Sequence, residues 1–477
     1  MKKRSFLLIM SIIFFSGCAQ TRDEDPQELV RTMANELVGK KWMPPGMSIA
    51  VLQKGKIVFA EGFGFADLEN KIPVTTKTQF RAASVSKLMT ATALIKLAQE
   101  NHLDLDAPIN GYVPEYGPKK YSITARELSG HLSGIPHYSA SDSIEKRFYN
   151  SVMESLQVFS HIELLYEPGT EYLYSTHGYT LLSAVIEKIS GKSFLDYTQK
   201  EIFEPLGMYH TGPADMRIKR SPNMTELYTL NREQRPEKIE NPEDPSYKWG
   251  GGGMISTPTD LVKLGNAYLN GFIHSNIVDD VFKSQKLNSG EETGVGIGWR
   301  RNWDMQGRSV FEHAGAMGGS RSILSIFPEH DLVIAIMANT YSPRNIEETA
   351  HMIALPFLSK AAPQKQPKGE WDIILTTIDS DGQEIRETGL LVLNGSADRI
   401  VLGSGESDRI IFPLTYMNRE NIYALAHPSG LLYTKLHMEK ALPTGYCFRY
   451  RSPRNQPPAE DEPFILFKSV PSQKNKI

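Results

Sequence analysis

The chain has 477 residues, 40% hydrophobic and 22% charged, with a formal net charge of −3. These are ordinary globular values for a chain of two or more domains, and the charge provides no basic field of the kind nucleic acid requires. The 12 histidines show neither a His-Glu-x-x-His pattern nor another ligand spacing, so neither a metal centre nor a cofactor is expected.

The first residues read as a targeting segment rather than as fold. Lys2-Lys3-Arg4 is a basic start, and Phe6 to Phe15 is apolar apart from Ser11. That run is too short to span a bilayer, which takes about 20 apolar residues. It ends in Phe15-Ser16-Gly17-Cys18, which resembles a bacterial lipoprotein signal with Cys18 as the lipidated mature N-terminus. The expectation is a signal peptide over 1–17, a tether over 18–27, and a membrane attachment through lipid on Cys18. No Asp follows the cysteine, so the expected place is the bacterial cell envelope, at the outer membrane facing the periplasm. The other cysteine is Cys447; with Cys18 lipidated, no internal disulfide is expected.

The folded part begins with an amphipathic helix carrying Leu29, Val30, Met33, Leu37 and Val38 and running to about Met43. Gly46–Leu52 and Ile57–Gly64 are two strands of a hairpin turning at Gln53-Lys54-Gly55-Lys56. A helix starts at Ser84 and runs to about His102. Residues 103–250 read as mainly helical with long loops, and Tyr179–Ile189 is a helix stopped near Gly191. Trp249-Gly250-Gly251-Gly252-Gly253-Met254 is either a turn or backbone passing close to a site wall. Thr257 and Pro258 read as N-cap and first residue of the next helix. Strands follow over 294–301, 309–314, 320–327 and 332–339, and a helix over 346–358. Strands at both chain ends with a helical middle imply an α/β (α+β) unit over 28–360: one antiparallel sheet flanked by helices, with an all-helical subdomain. Residues 361–370 have the composition of a linker. About eight short alternating runs over 371–469 read as a small all-β barrel or sandwich, and 470–477 as a disordered tail.

The chemistry is read around Ser84-Val85-Ser86-Lys87. A serine is a weak nucleophile until a neighbouring base takes its proton, and a lysine serves if it is desolvated or near another cation. Lys87 stands one helical turn from Ser84, on the same side. Ser143-Ile144-Glu145-Lys146 matches the same pattern but lies in a polar stretch with no apolar run behind it. Tyr174-Ser175-Thr176 precedes the Tyr179 helix; a tyrosine beside a lysine is held partly ionised or shares its proton, and so works as base and then acid. The rival Tyr416-Met417-Asn418 falls in the β domain. His313-Ala314-Gly315 ends a strand, where a cation would bind a substrate carboxylate or tune the tyrosine. His210-Thr211-Gly212 is its rival, at a helix-to-loop boundary. The oxyanion hole is assigned to the backbone N–H groups of Ser84 and Ala316.

The order Ser-x-x-Lys, Tyr-Ser-x, His-x-Gly resembles the serine β-lactamase and penicillin-binding-protein superfamily in its class C-like branch. Leu132-Ser133-Gly134-Ile135-Pro136, Glu204-Pro205-Leu206-Gly207-Met208 and Gly251-Gly252-Gly253-Met254-Ile255-Ser256-Thr257 support it. The resemblance implies Ser84 as the acylated nucleophile, Lys87 and Tyr174 as the base system, and Thr176, His313, Gly315 and Ala316 around the substrate. Thr176 stands where class C enzymes have Asn, and His313 where they usually have Lys. Tyr-Ser-Thr, with His131-Leu132-Ser133-Gly134-Ile135, is similar to the mitochondrial β-lactamase-like serine proteases. The expected function is a serine hydrolase acting on a small peptide, an ester or, weakly, a β-lactam-like substrate. A D-alanyl-D-alanine carboxypeptidase or β-lactamase is the alternative within enzymes, and a non-catalytic penicillin-binding sensor or envelope scaffold the alternative outside them.

Overall fold

The computed structural model describes residues 25–138, 147–215, 223–358, 366–378, 384–395, 397–403, 410–417, 421–439, 442–448 and 463–469. The expectations for the signal segment, Cys18, the Ser143/Lys146 pair, residues 361–365 of the linker and the tail lie outside them.

Seven strands form one antiparallel sheet: β1 (Gly46–Gln53), β2 (Lys56–Asp67), β3 (Ile72–Pro73), β4 (Arg300–Trp303), β5 (Ser309–Met317), β6 (Ser320–Phe327) and β7 (Leu332–Ala338). Their order is β3-β2-β1-β7-β6-β5-β4, so the two chain ends meet where β1 pairs with β7 in the register Ile49↔Ile336. Those two strands are buried on both faces, and their side chains sort by period two. Met47, Ile49, Val51, Ile334 and Ile336 face a layer made by helices α1 (Pro26–Asn35) and α5 (Ile346–Leu358). Ala50, Leu52, Val333, Ala335 and Met337 face the larger core around α2 (Ser86–Gln99), α3 (Thr176–Ser190) and α4 (Pro258–Asn266). Burial on both faces explains the near-continuous apolar reading of these strands. Helix α4 lies close against the sheet because Gly265 has no side chain: a Cβ there would sit 2.5 Å from Val333. Thr257 caps α4 on the Asp260 N–H, with Pro258 behind it, as read from the sequence.

Four boundaries differ from the sequence reading, each for a local reason. Helix α1 ends at Asn35, because Gly39 takes a left-handed φ of 69° and closes a turn on Pro44 before β1. Helix α2 proper starts at Ser86 and stops at Gln99; Ser84 belongs to a single 3-10 turn, Ala83–Val85, and Asn101 with φ 59° ends the helix. The strand expected from 294 begins only at Arg300. Gly294 and Gly298 hold positive φ, and Gly296 packs so tightly on the Val281 carbonyl that a Cβ would lie 2.2 Å from it. The glycine run is a short helical turn, Trp249–Gly252.

The C-terminal strands close an eight-stranded barrel from Gly369–Ile378 round to Pro463–Ser469, filled by Leu391, Ile400, Leu425 and Leu432 among others. It docks on α5 through its strand Gly430–Glu439. Leu431 N donates to Thr349 Oγ1 at 3.0 Å and Tyr433 N to Glu348 Oε1 at 2.7 Å, so the helix supplies acceptors to backbone donors.

Candidate active site

From Phe80 to Ile95 every residue is buried except Ser84. Ala83 makes this possible. Its φ of 48° is left-handed, a conformation that costs a non-glycine residue roughly 1–2 kcal/mol, and the bend brings Ser84 out ahead of α2. The turn is pinned on three sides. Ala82 N donates to Met254 O at 2.8 Å, Met254 N to Ser86 Oγ at 3.2 Å, and Ser322 Oγ to Ala82 O at 2.6 Å. Strand β5 runs alongside, where only glycine fits: a Cβ on Gly315 would lie 2.5 Å from Ala82 O and 3.0 Å from Ser84 N. The backbone of Gly315 and Ala316 thus borders the Ser84 amide.

Tyr174 Oη donates to Ser84 Oγ at 2.8 Å. Ser175 caps α3 by accepting from Gly178 N, which holds Tyr174 in the loop just before the helix. Burial raises the Tyr174 phenol, against opposing pulls from Arg300, Ser84 and Lys248. The phenol is therefore protonated at rest. Of the two expected states, partly ionised or sharing the lysine's proton, burial disfavours the first.

Lys87 is fully buried. Its Nζ donates to Thr176 Oγ1 at 3.0 Å and Gly251 O at 2.6 Å, and lies 4.7 Å from the Tyr174 ring centroid and 5.4 Å from that of Tyr179. Burial first, and then the Arg300 charge, hold this amine well below the ordinary lysine range. A neutral amine has two hydrogens and one lone pair. The two acceptors take the hydrogens and leave the lone pair to receive a proton. The glycine run explains how a carbonyl reaches the amine. A Cβ on Gly250 would lie 1.9 Å from Ser183 Oγ, and one on Gly251 would lie 2.6 Å from Thr176 Cγ2. Of the two readings of these glycines, close approach to the site wall is the observed one.

Thr176 and His313 stand differently from their sequence reading. Thr176, expected at the substrate, is buried as the first residue of α3, and its hydroxyl accepts from Lys87. His313, expected as a cation, is 1% exposed; its Nδ1 bonds Ala314 O at 2.7 Å. Burial first, and then the Arg300 charge, push it well below the ordinary histidine value, so the ring is neutral. His131 is likewise buried and pushed well below its usual value, chiefly by burial; its ring lies 4.5 Å from Tyr174, and its Nδ1 accepts from Ser175 N.

The permanent positive charge at this place belongs to Arg300, which the sequence reading missed. Its guanidinium lies 5.5 Å from the Tyr174 ring centroid, and its charge bears on Lys87, His131 and His313 alike. The available signal was positional: as the first residue of β4 it pairs with Glu312, next to His313. Lys248, buried behind the Ser84 turn, was also missed. The two rival motifs lie elsewhere: His210 N bonds Asp260 Oδ2, and Tyr416 belongs to the barrel.

A helix-led serine, a phenol and a neutral buried lysine, beside a sheet edge, define a serine hydrolase of the β-lactamase and transpeptidase fold. The chain belongs to the beta-lactamase family, whose model, described as "Beta-lactamase", matches residues 33–355. It is 30% identical over 461 residues to "Serine beta-lactamase-like protein LACTB, mitochondrial" of Homo sapiens, covering 72% of this chain and 81% of that protein. Penicillin-binding protein 4* of Bacillus subtilis (strain 168) is 28% identical, covering 66% and 72% of the two chains. Among solved structures, the octameric penicillin-binding protein homologue from Pyrococcus abyssi has the same fold, with a TM-score of 0.60 at 22% identity over 93% of this chain and all of that one. The D-amino acid amidase from Ochrobactrum anthropi SV3 superposes with a TM-score of 0.54 at 26% identity, covering 66% and 90%.

The burial of the two imidazoles has a measurable consequence. In a histidine-selective NMR titration, His131 and His313 keep neutral-ring shifts as the pH falls from 8 through the ordinary histidine value of about 6.5. A titration of His313 at that value would show a solvated, ionisable ring in place of the buried one.

Proposed function

We propose that Ser84 is the acylated nucleophile, that Lys87 and Tyr174 together move its proton, and that substrates are amides or esters. The observation that carries this reading is the 2.8 Å Tyr174–Ser84 bond beside a buried, neutral Lys87. In the reaction, Ser84 Oγ attacks the carbonyl carbon and its proton passes to the Lys87–Tyr174 pair. The carbonyl oxygen takes up negative charge, and the Ser84 and Ala316 amides are assigned to it. The C–N or C–O bond then breaks, and the pair returns the proton to the departing nitrogen or oxygen. Water attacks the acyl-enzyme through the same pair in reverse, which releases the acid and restores Ser84. Similarity to a D-amino acid amidase supports an amide substrate. β-Lactam turnover is read as weak, because Thr176 is engaged by Lys87 and His313 adds no charge for an antibiotic's carboxylate.

Ser84→Ala is expected to lower ester hydrolysis by about three orders of magnitude or more, with melting unchanged, and to abolish labelling by a fluorophosphonate in intact mass spectra. Labelling retained in the alanine variant would end the acyl-enzyme reading.

Arg300 favours a second, narrower reading: a carboxypeptidase-type substrate whose departing fragment ends in a carboxylate. A guanidinium binds carboxylate in a two-point fork and keeps its charge at every working pH. Arg300→Gln is expected to raise KM for peptides with a free C-terminus about tenfold or more relative to their C-terminal amides. Equal effects on acid and amide would refute this role.

We also propose, from the first 18 residues alone, that the chain is exported and held in the bacterial envelope by lipid on Cys18. Among the described residues no helix is long and apolar enough to cross a membrane. Cys18→Ser should therefore be released in soluble form where wild type stays with the membrane fraction; co-fractionation of both would sink the idea.

A further inference from the structure

Behind the Ser84 turn lies a second buried lysine that the reaction above does not use. Lys248 closes the 3-10 turn Ser246–Lys248, ahead of the glycine turn that presents Gly251 O to Lys87. It is 2% exposed. Its Nζ contacts Glu243 Oε1 at 2.8 Å and lies 4.6 Å from the Tyr138 ring and 4.8 Å from the Tyr247 ring. Tyr247 Oη donates to the same carboxylate oxygen at 2.7 Å, and Arg81 Nη2 donates to the Glu243 carbonyl at 2.8 Å. Gly252 stands between the lysine stem and the turn that carries the nucleophile: its Cβ position is 3.7 Å from Lys248 Cδ and 3.8 Å from the Ala83 carbonyl carbon. A larger residue than glycine would sit between the two.

A buried ammonium is costly unless a carboxylate and ring faces compensate it, and this one has both. That is more machinery than holding a surface loop requires. We propose that Lys248, kept charged by Glu243, is a positioning residue whose positive field holds Lys87 free of its proton and steadies the Tyr174 anion as that anion forms. The charged and titratable groups facing this pair are Glu243, Tyr247, Tyr138 and Arg81 around Lys248, and Ser84, Tyr172, Tyr179, His131, His313 and Arg300 around Lys87 and Tyr174. Burial draws the Lys248 ammonium below the ordinary lysine range while Glu243 pulls it back up, and the pull of Lys248 on the Tyr174 phenol agrees with that assignment.

The proposal rests on the Ser84 acyl-enzyme reading, and its test separates the two. The probe is a neutral ester, with kcat/KM followed against pH, and fluorophosphonate labelling of wild type as the control. Lys248→Met removes the positive field, so Lys87 holds its proton more tightly and the rising limb of kcat/KM moves to higher pH, by about one unit. Lys248→Arg keeps the charge and restores the wild-type limb, which a merely structural role would not predict. Should Lys248→Met not fold, Glu243→Gln serves: without its carboxylate the buried lysine gives up its proton, and the limb moves in the same direction. An unmoved limb in a folded variant overturns the proposal alone. Absence of Ser84 labelling in wild type overturns the acyl-enzyme reading and this proposal with it.

Discussion

A lysine sealed in the protein with no carboxylate partner among the described residues is the constraint around which the site is arranged. Lys87 keeps two neutral acceptors, Thr176 Oγ1 and Gly251 O. An uncompensated ammonium there would cost several kcal/mol, and burial accordingly draws the amine well below the ordinary lysine range. That choice propagates outward. Gly250 and Gly251 are glycines so that a carbonyl can reach the amine. Ser175 caps α3 so that Thr176 enters the helix facing it. The two imidazoles beside it are buried and neutral, and the fixed charge is an arginine, which burial does not neutralise.

The sheet supplies rigidity to this arrangement. Its centre, β1 against β7, is buried on both faces; α4 packs on one of them, and α2, which carries Lys87, belongs to the same core. Strand β5 then brings Gly315 against Ser84 N at a separation that a single methyl group would break. A serine placed by a strained turn, a helix and a sheet edge at once has little freedom, which is what preorganised acyl transfer demands. The barrel lies on the other side of the sheet. Its strand over 430–439 is fastened to α5 by Thr349 and Glu348, so it touches the layer that backs the sheet rather than the nucleophile.

Much of this was legible in the sequence. The hairpin, the α3 helix with its Gly191 stop, the α4 cap, the 346–358 helix and the closing β domain follow from periodicity two, periodicity 3.6 and capping chemistry, all of which are local. The Ser84/Lys87 spacing is local too, whereas Tyr174 was joined to it only through the resemblance to the superfamily; in the fold its Oη lies 2.8 Å from Ser84 Oγ. The strand expected over 294–299 is not formed, since Gly294 and Gly298 take positive φ and Gly296 packs against the Val281 carbonyl, a contact made with a distant segment. The helix start was displaced by two residues because Ala83 adopts a left-handed backbone that nothing in an alanine announces.

By itself, then, the sequence determined which residues have the chemistry and which segments are helix or strand, because spacing and capping act within a few residues. Only the tertiary structure decided the charge states. Whether His313 is a cation, whether Tyr174 is ionised, and how readily Lys87 takes a proton depend on burial and on the charge of Arg300, which the motifs do not contain. Desolvation is a property of a packed interior, and no stretch of sequence carries it alone.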